Sequence, residues 1–222
     1  MTTTLVHQGV AGAFSEAAAL CVQQHLSSTT TLKSAPTFSD VVEAAADDED
    51  VIAVLPVVNT KGGSVASALA AYASRQEDVA IVCVVHLKVR HQLWTMDDVV
   101  LGDVRSVGSH PQALAQCQGV IQQYGWTTVD VANTAVAAQQ LATGTASFDA
   151  SIASARAGEL YGLQKQLSDI HDDDENTTSF LVLGKAFPKE EGPEQNCVRK
   201  LWRTSHVTST KPFATSEEVT LT

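Results

Sequence analysis

The apolar run "VIAVLPVV", residues 51–58, constrains the fold more than any other stretch of the chain. An unbroken apolar segment of this length reads as a strand buried on both faces, which requires packed layers on either side of its sheet. Around it, strand-like and helix-like segments alternate. "TLVHQG" reads as a short strand, with a helix over 14–26 and Ser15 near its start; "LKSAPTFSDVVEAAADD" gives a strand, a turn and an amphipathic helix. The loop "NTKGG" follows the apolar run and leads into the helix "SVASALAAYAS". "VAIVCVVHLKVRHQLW" reads as one long strand that crosses into a second lobe. Beyond it come "VRSVGS" and "HPQALAQCQGVIQQY", "TTVDVA" and "NTAVAAQQLATG", "FDASIAS" and "ARAGELYG", each a strand followed by a helix. "SFLVLGK" closes the series as a strand. The repeated strand–helix order predicts an α/β fold with mainly parallel sheets and helices on their faces.

Charge narrows the partners. With 14 Lys and Arg against 25 Asp and Glu, the net charge is −11. Nucleic acids and anionic membranes both need a basic surface, so neither is an expected partner. An anionic ligand would have to be held by local groups against the overall field. The four cysteines (Cys21, Cys83, Cys117, Cys197) are scattered without a CxxC pair, as reduced thiols in a cytoplasmic protein are. No apolar run approaches the roughly 20 residues that a membrane span needs. "MTTTLVHQG" has neither a basic n-region nor an h-region, so no signal peptide is expected in it.

Four loops share one design, in which a strand ends, small or hydroxylated residues follow, and a helix begins. They lie at Gly9–Ser15, Asn59–Ser64, Gly108–Pro111 and Asn133–Thr134. In "GSHPQALAQC", Ser109 or His110 can cap while Pro111 supplies the preset first helical residue. Unpaired N–H donors at such helix starts suit a carboxylate or phosphate. Taken singly, each loop is ordinarily just a capped helix; together they point to a ligand cleft. No GxGxxG or P-loop spacing accompanies them, so no nucleotide cofactor is expected. "HDDDENTTSF", residues 171–180, adds a cluster of carboxylates and hydroxyls at the mouth of the last strand. Its acidic part lacks the spacing of a calcium loop and reads as a solvated turn, and no metal is expected.

The motifs "HQGVAGAFSEAAA", "VLPVVNTKGGSV", "HLKVRHQL", "GSHPQALAQC", "NTAVAA" and "IHDDDENTTSFLVLGK" resemble, in order and spacing, those of prephenate dehydratases and the plant-type arogenate dehydratases. The resemblance runs from about residue 5 to 186. It implies two similar α/β lobes of the periplasmic-binding-protein type with the active site in the cleft between them. The lobe boundaries expected are 1–84 plus 176–187 for the first and 85–175 for the second, with 188–222 a linker and tail.

The resemblance also assigns residues. Thr178 matches the catalytic threonine of the family's Asn-x-Thr-Arg-Phe motif, and Asn176 and Phe180 match its flanks. Ser109 and Gln116 match the family's site serine and glutamine, Asn59 the asparagine of its Glu-Asn-Ser motif, and Thr134 the threonine of a further site loop. Thr60 stands for the motif serine, while Gly62, Gly63 and Ser64 fit the helix start that follows. Three further positions depart. Ser179 replaces the motif arginine and Val58 the glutamate, and a glutamate that many relatives carry on the "HLKVRH" strand is Val84 here. Losing an arginine removes a two-pronged carboxylate clamp that a serine cannot replace. His110, Arg90 and His91 are the candidates for compensating charge, with Arg90 and His91 otherwise read as a strand-end surface pair.

The implied reaction takes prephenate or arogenate, expels carbon dioxide and the ring hydroxyl together, and leaves an aromatic ring. It needs donors that hold the carboxylates and a hydrogen bond to the departing hydroxyl. Two alternatives stand beside it: a prephenate decarboxylase that keeps the hydroxyl, a kind of relative with a changed threonine-arginine motif that Ser179 and Val58 favour and Thr178 opposes, and a non-catalytic metabolite-binding or secreted effector relative. The family implies a homodimer. "RTSHVTSTKPF", residues 203–213, faintly resembles the first strand of the ACT domain that many relatives carry, and a remnant this short predicts no phenylalanine feedback.

Overall fold

The computed structural model describes residues 2–26 and 29–186, together with the backbone of the strand Glu217–Leu221. The strand–helix order does produce an α/β architecture, built on a seven-stranded and a five-stranded sheet. By internal packing the chain divides into two units. One comprises Met1–Gly9, Ser15–Lys88 and Thr177–Thr222, and the other Val10–Phe14 and Val89–Asn176.

The first unit holds β1 (Thr2–Gln8), α1 (Phe14–Gln24), β2 (Thr29–Ala35), α2 (Phe38–Asp47), β3 (Val51–Asn59), β4 (Gly63–Ser64), α3 (Ala66–Ser74), β5 (Val79–Lys88), β11 (Thr177–Lys185) and β12 (Glu217–Leu221). Its sheet runs β12-β5-β11-β3-β1-β2, with β4 paired to β3. The apolar run forms the middle of β3, and Ile52, Ala53, Val54 and Leu55 are buried. On one face, Ala53, Leu55, Val57 and Leu183 pack with Val41, Val42, Ala45 and Ala46 of α2. Burying each larger side chain contributes about 1.5–3 kcal/mol to this face of the core. Helix α2 starts where its sequence says it should. Thr37 Oγ1 accepts from the Asp40 N–H at 3.1 Å while the Asp40 carboxylate accepts from the Thr37 N–H at 3.0 Å, a reciprocal cap.

The second unit holds β6 (Gln92–Thr95), β7 (Ser106–Ser109), α4 (Pro111–Ala115), α5 (Gln118–Tyr124), β8 (Thr127–Asp130), α6 (Thr134–Ala142), β9 (Ala150–Ala153), α7 (Ala155–Leu160) and β10 (Gln164–Leu167). Its sheet runs β10-β6-β9-β7-β8. Two glycines permit its tightest contacts. A Cβ on Gly108 would enter the Phe148 ring, and one on Gly158 would enter the Trp94 indole. Residues 10–14 pack here as well: Ser154 Oγ donates to the Gly12 carbonyl at 3.0 Å and the Tyr161 hydroxyl to the Ala11 carbonyl at 3.0 Å.

Four expectations need correction. The sheets are mixed, because β11 runs antiparallel to both β3 and β5, and β6 runs antiparallel to β9 and β10. A strand that returns between two neighbours needs no crossover helix and is free to run either way. The long strand over 79–94 is two strands, broken at Val89–His91, where the Val89 N–H leaves the ladder to donate to the Asn176 carbonyl. The helix over 110–124 is likewise two, parted at Gln116 and Cys117, where the Asp172 N–H takes the Gln116 carbonyl at 2.8 Å. The stretch 188–222, expected to be only a linker and tail, contributes the strand Glu217–Leu221, which runs parallel to β5. The ACT-like stretch over 203–213 lies outside the described residues.

Candidate active site

Strand β11 brings Thr178 beside Asn59 of β3 and Leu87 of β5. Both polar residues are almost covered, each with 9% of its surface open. Asn59 is held from several directions. Its side-chain oxygen accepts the N–H groups of Lys61 at 3.0 Å and Gly62 at 2.7 Å, which fixes which end of the amide is nitrogen. That nitrogen donates to Thr178 Oγ1 at 2.9 Å and to the Thr177 carbonyl at 3.3 Å. The backbone is stitched at the same place, with Thr60 N–H donating to the Thr177 carbonyl and Thr177 N–H to Thr60 Oγ1.

The consequence for Thr178 is chemical. Its oxygen already accepts a hydrogen bond, and no acceptor for its own proton is present among the described residues. The hydroxyl is therefore set up as a donor. Accepting from an amide also polarises the O–H bond and strengthens what it can donate.

Side chains alternate along a strand, so Ser179 faces the opposite side of β11 from Thr178. Its oxygen lies 2.8 Å from Nδ1 of His86, its register partner on β5. Val58, 41% exposed, is the register partner on the other side. The two residues that the resemblance sets against a motif arginine and glutamate thus lie next to each other. Phe180 is 1% exposed and is part of the core. Gly63 and Ser64 are exposed in β4, and Ser64 does not cap the following helix, whose first flanking residue Val65 makes no side-chain cap.

In the second unit, the break between α4 and α5 turns Gln116 out of the helix. Its side-chain oxygen takes hydrogen bonds from Asn176 Nδ2 at 2.9 Å and from His91 Nε2 at 2.9 Å. Asn176 and His91 are each 2% exposed. Burial pushes the His91 pKa below its ordinary value, the bond to Gln116 and the nearby His171 being lesser influences, so the ring is neutral at neutral pH. The Phe14 ring meets it edge-on at 5.8 Å between centroids. Ser109 is fully buried at the end of β7 and spends its proton on the Ile152 carbonyl at 2.5 Å. Thr134 opens α6 beneath the cap that Asn133 makes to the Ala135 N–H, and is 8% exposed.

The three candidates for compensating charge are each engaged elsewhere. His110 caps α4 with its own ring, accepting the Gln112 N–H at 3.2 Å. Arg90 is half exposed and pairs with Asp169 at 3.0 Å. His91 is not half of a surface pair at all, being sealed and neutral. The residue that sequence reading missed is His86. It lies inside a quoted motif, but its partner is 93 residues away and only the β5–β11 register reveals it. Among the described residues no group of three or more His, Cys, Asp or Glu is placed to hold a metal ion. No described helix is long and apolar enough to cross a membrane.

Residues 5–187 match the family model described as "Prephenate dehydratase". "Arogenate dehydratase/prephenate dehydratase 2, chloroplastic" of Arabidopsis thaliana is 36% identical over 187 residues, covering 82% of this chain and 46% of that protein. The chain spans about half the length of the curated relatives it matches. Among solved structures, the prephenate dehydratase of Staphylococcus aureus is 26% identical with a TM-score of 0.68, over 84% of this chain and 67% of that one. A structure described as a novel type of quorum quenching acylase is 29% identical with a TM-score of 0.72, over 86% and 67%.

Proposed function

The chain belongs to the prephenate dehydratase family, and from that premise we propose that it converts prephenate to phenylpyruvate, or arogenate to phenylalanine. Carbon dioxide leaves from the ring carboxylate as the ring hydroxyl departs, and the electron pair of the broken carbon–carbon bond completes the aromatic ring. Aromatisation supplies most of the driving force. The protein's part is to hold the anion and to ease the departure of a hydroxyl, which is a poor leaving group without a donor.

The observation that carries this reading is the Asn59–Thr178 hydrogen bond. It commits the threonine oxygen as an acceptor and leaves its proton to be given away. We assign Thr178 as the donor to the departing hydroxyl and Asn59 as the residue that orients it. Thr60, Gly63 and Ser64 stand with them as substrate-binding residues of the first unit. In the second unit Gln116, Asn176, Ser109 and Thr134 carry that assignment. Gln116 has the most to offer a ligand, because Ser109 has committed its proton to the backbone. Ser179 and Phe180, also assigned by resemblance, act through β11 itself, one facing His86 and the other filling the core.

Incubation with prephenate, followed by alkaline phenylpyruvate absorbance and mass spectrometry, tests the reading. Phenylpyruvate that disappears in Thr178→Ala supports it. A non-aromatic keto acid would instead indicate decarboxylation alone, and binding without either product a metabolite-binding protein. A homodimer in the cytosol completes the proposal. The scattered thiols Cys21 and Cys117, which form no disulfide among the described residues, support a reducing compartment, and light scattering tests the dimer.

A further inference from the structure

We infer that His91 is a positioning residue for the substrate: through Nε2–H it holds the Gln116 carbonyl so that the Gln116 amide hydrogens face a substrate carboxylate. This inference rests on the proposed dehydratase function. Two hydrogen-bond networks fit the heavy atoms around Gln116. In one, His91 Nε2–H and Asn176 Nδ2 both donate to Gln116 Oε1, and the Gln116 NH₂ has no partner among the described residues. In the other, the amides of Gln116 and Asn176 are both reversed, Gln116 donates to Asn176 Oδ1 and to His91 Nε2, and an oxygen of Gln116 faces outward instead.

His91 Nδ1 decides between them. This atom is buried and has no hydrogen-bond partner among the described residues. With the proton on Nε2, the orphan at Nδ1 is a lone pair. With the amide reversed, Nε2 must accept, the proton moves to Nδ1, and a buried N–H is left unmet. An unmet donor is the rarer and costlier orphan, so the first network holds. It presents two N–H donors at Gln116, which suits an anionic oxygen and would repel a cation. The Ile170 N–H holds the His91 backbone by donating to its carbonyl at 2.9 Å, and the Phe14 ring abuts the buried imidazole.

Long-range nitrogen–proton NMR of the imidazole at neutral pH tests the assignment without turnover. The Nε2–H tautomer is expected, and the Nδ1–H tautomer would overturn the inference. Kinetics supply the second arm. His91→Leu is expected to raise KM by about tenfold with kcat changed by less than about threefold, the pattern of a lost ground-state contact. His91→Gln, which keeps a donor, restores most of that affinity, whereas a purely space-filling role would favour leucine over glutamine. In a Gln116→Ala background His91→Leu adds nothing further, and additive losses would count against the inference. If the wild-type protein turns over neither prephenate nor arogenate, the functional reading and the substrate role of His91 fail together, whereas an Nδ1–H tautomer in an active enzyme overturns the inference alone.

Discussion

Asn59 and Thr178, 119 residues apart in sequence, meet across β3 and β11 with the asparagine amide nitrogen 2.9 Å from the threonine oxygen. The asparagine is not free to turn, since the Lys61 and Gly62 N–H groups hold its oxygen. One residue thus fixes a loop with one end and the direction of a hydroxyl with the other.

Replacing Asn59 by aspartate separates these two jobs. A carboxylate still accepts from Lys61 and Gly62 but now also accepts the Thr178 proton, turning the hydroxyl inward. Asn59→Asp is expected to lower kcat by about a hundredfold with KM changed by less than about threefold. Steady-state kinetics checks this, and an unchanged kcat would remove Asn59 from the orienting role.

Placing at position 179 the arginine that the motif resemblance expects there is the natural change to attempt, and it is expected to do little. Position 179 faces His86, on the side of β11 away from Thr178. In Ser179→Arg the guanidinium is placed beside that imidazole, and kcat/KM is expected to stay within about threefold of wild type. A gain of about tenfold or more would mean that this side chain reaches the substrate.

Acid stability follows from two buried imidazoles, one in each unit. Burial lowers the pKa of both His7 and His91 from 6.5. The unfolded chain therefore binds protons that the folded chain refuses, and stability is complete above about pH 6.5 and declines as pH falls below it. Urea midpoints measured from about pH 7.5 to about pH 5.5 should show this fall. In His7→Gln the slope should be shallower by up to about one proton. A slope unchanged by that substitution would mean the ring is solvated.

Gly158 tests the packing of the second unit. Intrinsic helix propensity alone would make Gly158→Ala in α7 stabilising by about 1 kcal/mol. The Trp94 ring occupies the space the new methyl needs, and overpacking of this kind costs about 1–3 kcal/mol. A lowered thermal midpoint is expected, and a raised one would show that Trp94 is free to move.

These residues also mark what a sequence can and cannot convey. Helix α2 is written locally, in the Thr37–Asp40 spacing and its apolar face, and β3 in its unbroken apolar run. Thr178 and Gln116 are legible through motifs. The break that turns Gln116 outward is not, because it depends on the Asp172 N–H more than 50 residues on. Strand β10, "QKQL", is a polar edge strand without an apolar alternation to announce it. His91 reads as surface beside Arg90, yet a strand end places one outside and the other within. The Ser179–His86 pair depends on register, which a single chain of letters does not carry.

The most direct measurement of the central claim is single-turnover conversion of prephenate by wild type, Thr178→Ser and Thr178→Val. Valine keeps the shape of threonine and removes the proton. The account predicts that serine retains most of the rate and that valine loses at least about a hundredfold while still binding substrate. Aromatic product formed by the valine variant at close to the wild-type rate would contradict it.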